Sequence, residues 1–73
     1  TPKYPEVKKY SEQDMLFVKQ ALDRFKNFNN AAHREAITSL ADKMAGQLSL
    51  PELPVNKAEF LKTLLNDYVV LSR

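Results

Sequence analysis

A chain of 73 residues without a single cysteine has to hold itself together by packing alone. Folding so short a sequence buries a smaller share of its surface than folding a long one, and neither disulfides nor a metal-ligand cluster adds to what the core supplies. One core and one domain are all it can support, with a stability on the order of 3 to 5 kcal/mol. The 44% of hydrophobic residues against 27% charged is a balance that folds rather than staying disordered. Apolar residues recur at three- and four-residue steps in three segments, and no alternating segment suggests a strand. The expected fold is all-α: a small three-helix bundle with an extended N-terminal arm. The arm, or linker, covers 1–10 and the three-helix domain 11–73.

Two prolines in the arm, TPKYPEVKKY, remove backbone donors and hold φ near −65°, which disfavours a helix there. Tyr4, Val7 and Tyr10 are placed to fold back onto the helices, whereas Lys3, Lys8 and Lys9 are expected to stay hydrated. The bland alternative is a solvated linker with one or two apolar anchors.

Each helix carries its own start signal. Helix one, about 11–26, begins at Ser11 with Asp14 three residues on, a capping-box spacing in which Asp is a weaker partner than Glu. Its stripe is Met15, Val18, Leu22 and Phe25, widened by Phe17 and Ala21. Asn27-Phe28-Asn29-Asn30 then reads as a tight link, with Asn29 or Asn30 capping helix two, about 30–46. The face of helix two is Ala36, Ile37, Leu40, Ala41, Met44 and Leu48. Gly46, the only glycine, either ends it in a left-handed conformation or interrupts its last turn. Pro51 and Pro54 make the next segment an extended connector under which Leu48, Leu50 and Leu53 tuck. Helix three, about 56–71, starts at Asn56 with Glu59 three residues on and Val55 paired to Phe60 as a hydrophobic staple. Phe60, Leu61, Leu64, Leu65 and Tyr68 form its apolar face.

The side chains offer little chemistry. One histidine, His33, at a helix start is poor material for a triad, since a helix N-terminus lowers imidazole basicity. The carboxylates lie among polar residues, and one glycine cannot build a phosphate loop. No enzyme activity, metal or cofactor is expected, and a small-molecule ligand is not. A net charge of +2 is too small to draw nucleic acid by itself. The alternative function is nonetheless a helix-turn-helix-like DNA-binding module. The four-residue link would make helix two the reader, with Asn30, His33 and Arg34 on base edges and Lys26 on phosphate. Glu35 and Asp42 on the same helix weigh against it.

The succession Y-S-E-Q-D at the first cap, L-D-R-F, A-A-H-R-E-A-I-T-S-L-A-D-K-M-A and E-F-L-K-T-L-L resembles the soluble tail attached to some integral membrane proteins of the RDD family. It runs from about Tyr4 to Tyr68, although the Arg-Asp-Asp signature of the membrane part is absent. The resemblance implies a fragment of a larger protein whose Thr1 follows a transmembrane helix. Lys3, Lys8 and Lys9 would then lie on the cytoplasmic side, near anionic head groups. The leading expectation is a non-catalytic cytoplasmic interaction or regulatory domain whose partner is protein, in the same polypeptide or another subunit. Its contact surface is placed at Tyr68, Val69, Val70 and Leu71, which are apolar around more of the helix than one core face needs. Burial of all four in the domain's own core is the competing reading.

Overall fold

In the computed structural model, which describes residues 3–72, three α-helices enclose one core: α1 (Glu12–Asn27), α2 (Ala31–Gln47) and α3 (Lys57–Leu71). Thr1 and Pro2 of the arm, and Arg73, lie outside the described residues. The helix starts fall where the polar caps predict. The Ser11 hydroxyl accepts from the Asp14 N–H while the Asp14 carboxylate accepts from the Ser11 N–H, each at 3.1 Å, so Asp closes a full capping box. Asn30 and Asn56 cap α2 and α3 by accepting from the N–H three residues on.

The core is built from Met15, Val18 and Leu22 of α1, Ile37, Ala41, Met44 and Ala45 of α2, and Phe60, Leu61 and Leu64 of α3, with Leu48 below them. Four apolar expectations fail. Phe17 and Leu53 are exposed and so is Ala36, because each lies off the line where three small helices meet. Val55 is 100% exposed, so no staple forms. The ring of Phe60 instead meets Tyr4 edge-on, with centroids 5.2 Å apart, and that aromatic contact fills the place a staple would take.

Gly46 stays helical, without positive φ. The left-handed residue is Ser49, at φ 56°. Its N–H reaches the Gly46 carbonyl and the Leu50 N–H reaches the Ala45 carbonyl, both at 3.1 Å. This is the 5→2 and 6→1 pair of a Schellman ending, with serine in the position glycine usually takes. Beyond it the connector turns back, so that α3 starts beside the middle of α2: the Lys57 ammonium pairs with Asp42 at 2.7 Å.

The arm folds back through Tyr4, Val7 and Tyr10 as expected, but it holds a helical turn that was not. Pro5–Lys9 forms a 3-10 helix, which two prolines seemed to forbid. Pro5 stands at its first position, where a missing N–H leaves no bond unmade. Val7 is fully buried, and Tyr4 and Tyr10 pack against the core. The Tyr4 N–H donates to the buried Asp67 carboxylate at 2.7 Å. At its other end Lys9 donates to the Gln47 carbonyl at 2.6 Å, and the Tyr10 hydroxyl to Gln47 Oε1 at 2.7 Å. Since α2 has no basic residue in its own last turn, Lys9 supplies the cation that helix C-termini favour. The arm is therefore a strap from α3 to the end of α2. A radius of gyration of 11.7 Å, against about 11 Å for a compact chain of this length, fits a strap that lies flat.

Candidate functional site

A stripe of Met15, Val18 and Leu22 points α1 into the core, which leaves Leu16 and Phe17 on the helix flanks, 52% and 58% exposed. Each flank borders a cleft. On the α2 side Phe17 shares its cleft with Leu40, Asp14 and Lys43, and the strap's Tyr10 forms one wall. Burial first, and the Asp14 charge second, push the Tyr10 phenol above its ordinary pKa of 10.0. This cleft is short and walled by charge.

On the α3 side the opening is longer. Leu16 and Met15 face Leu65, Tyr68 and Val69, and Val69 is 50% exposed. Farther along, Leu22 and Phe25 face Ala58 and Leu65. The start of α1 thus lies against the end of α3 and the reverse, which makes the two helices antiparallel. Because Lys19 and Leu65 border both stretches, they form one groove. From Glu12 to Lys26 it runs about 21 Å at the rise of an α-helix, enough to seat four turns of another helix. Its floor is apolar, with Phe25 and Tyr68 among aliphatic side chains. Glu12 stands at one end, Lys19 midway, and Asp23, Lys26 and Lys62 at the other.

The predicted contact surface divides across this geometry. Tyr68 and Val69 border the groove, Val70 is exposed outside it, and Leu71 packs on the core. Leu16 and Lys62 were not anticipated, and Leu65 was expected only on the apolar face of α3. The spacing held part of the signal, since Leu65 and Val69 are four apart on α3.

Of the residues of the helix-turn-helix alternative, Asn30, His33 and Arg34 lie at the start of α2 and Lys26 at the end of α1. Asn30 Oδ1 accepts from the His33 N–H at 2.9 Å and lies 2.8 Å from His33 Nδ1, while Phe28 stacks on the imidazole. Both polar side chains are thus engaged in capping α2. Lys26 borders the α1/α3 groove, and Arg34 the cleft beside Val55, with Phe25 and Ala58 lining both. On the arm, Lys3 and Lys8 are exposed, whereas Lys9 is bonded as described. Among the described residues no three potential metal ligands come together, and no helix is long and apolar enough to cross a membrane.

Comparison with known proteins gives a family model that spans residues 1–73, DUF8484, described as a domain of unknown function. No curated protein and no solved structure matches the chain.

Proposed function

For this chain, which belongs to the DUF8484 family, we propose a non-catalytic interaction domain that receives a helix of a protein partner in the α1/α3 groove. One observation carries the reading: Leu16 and Val69, on facing helices, stand half exposed over an otherwise apolar floor. Among the described residues no further helix lies there, and a fourth helix in such a groove completes the packing of a four-helix arrangement. The partner is another part of the same polypeptide or a separate subunit.

The membrane-proximal, cytoplasmic setting implied by the RDD resemblance belongs to the same proposal. Exposed Lys3 and Lys8 support it, as positive residues beside a membrane exit are attracted to anionic head groups. The bonded Lys9 contributes less to that attraction.

The test is chemical-shift mapping on the labelled domain with an uncharged amphipathic peptide, leucine on one face and alanine and glutamine elsewhere. Shifts centred on Leu16, Leu65 and Val69, reduced by L16Q with V69Q while the melting temperature holds, are the expected result. Absence of binding, or shifts centred on α2, would overturn the reading.

A further inference from the structure

The charges along the groove say what kind of helix fits it. From the edges of that groove we infer that its occupant is an amphipathic helix with acidic residues flanking its apolar face, concentrated at the end that lies over Lys26 and Lys62. This rests on the docking role proposed above and names the partner's chemistry. Three lysines, Lys19, Lys26 and Lys62, border the groove against Asp23 in the same stretch, and Glu12 alone marks the far end. With Lys19 midway, Lys26 and Lys62 against Asp23 leave one end net positive, and Glu12 makes the other end negative. Opposite charges on the rim of an apolar seat steer a partner and fix its direction, while the apolar floor supplies most of the affinity.

Two other occupants fit less well. A second copy of this chain related by a two-fold axis would bring its Lys19 against the first, because Lys19 stands midway along the groove, and like charges so placed repel. A flat anionic bilayer meets the lysines but not the floor, since Leu22 is only 8% exposed between the helices.

The experiment uses two synthetic peptides of about 18 residues, long enough to fill the groove, that share one leucine face. One carries glutamates beside that face and the other lysines. Titration calorimetry on the whole domain is expected to give about tenfold tighter binding for the glutamate peptide, with the difference shrinking as salt is added. The charge-reversed K19E/K26E/K62E variant, its fold checked by its melting curve, is expected to prefer the lysine peptide. Equal binding of both peptides would overturn the acidic partner and leave the groove reading intact. Binding of neither would overturn both. Phosphatidylglycerol vesicles complete the set: capture that depends on Lys19, Lys26 and Lys62 and exceeds binding of the glutamate peptide would overturn the inference in favour of a lipid surface. A concentration-dependent dimer broken by V69E would do so in favour of a second copy.

Discussion

The backbone N–H of Tyr4 donates to Oδ2 of Asp67 at 2.7 Å, joining residues 63 positions apart. A carboxyl group at 4% exposure is tolerated inside a small core only where it is hydrogen-bonded, and the Tyr4 N–H supplies that bond. Around it, no buried side-chain polar atom among the described residues lacks a partner.

Removing that acceptor leaves the Tyr4 donor without its partner. D67A is expected to lower the unfolding free energy by about 2 kcal/mol, and D67N by less because its amide oxygen still accepts. Urea denaturation measures both. Hydrogen exchange at the Val7 and Tyr10 amides, bonded to Tyr4 and Val7 carbonyls, should quicken in D67A more than exchange in α2.

Two valines near prolines should behave oppositely. Val7 is 0% exposed and Val55 100%. V7A opens a cavity in the core and is expected to cost about 2 kcal/mol, whereas V55A stays within about 0.5 kcal/mol of the parent. Equal effects in chemical denaturation would mean that the arm does not seat in solution.

The misplaced glycine offers two stabilising changes. A Cβ at Gly46 meets nothing within 4 Å, so G46A should gain about 0.5 to 1 kcal/mol from helix propensity. At Ser49, φ 56° strains any side chain, and S49G should gain about 1 kcal/mol. Thermal melts of both single variants and the double variant test the values and their additivity.

Alkaline pH should loosen the strap. The Tyr10 pKa is raised in the folded state above the ordinary 10.0, so the protonated phenol is the form the fold favours. Its contribution is complete below about pH 10 and is lost as pH rises through the higher folded value. Stability followed from pH 8 to 12 should fall more steeply for the parent than for Y10F, which has no phenol to ionise.

What the sequence revealed, it revealed through local signals. Ser11, Asn30 and Asn56 announce the helix starts because capping is a contact over three residues. The α1 stripe shows the same local logic, since Met15, Val18 and Leu22 face inward by period alone. Tyr4, Val7 and Tyr10 read as residues that fold back onto the helices, but the strap's polar bonds were not legible, because Tyr4 and Lys9 bind partners 63 and 38 positions away that no window contains. Asp67 left a readable trace, three residues after Leu64 and seven after Phe60, a carboxylate in an apolar register. Of the candidate site, Tyr68 and Val69 were readable as surplus apolar surface. Their counterpart Leu16 was not, since which flank of α1 stays open depends on how α3 returns.

The strap also sets an order of events during synthesis. A ribosome delivers Tyr4 long before Asp67, and at roughly 5 to 20 residues per second the 63 positions between them take about 3 to 13 s to make. Through that interval α1 and α2 can form and pair, yet the surface that receives Val7 does not exist. The arm, although made before all three helices, is thus the last of these elements to be seated. For those seconds the nascent chain displays a valine and a tyrosine that only the arrival of α3 can cover.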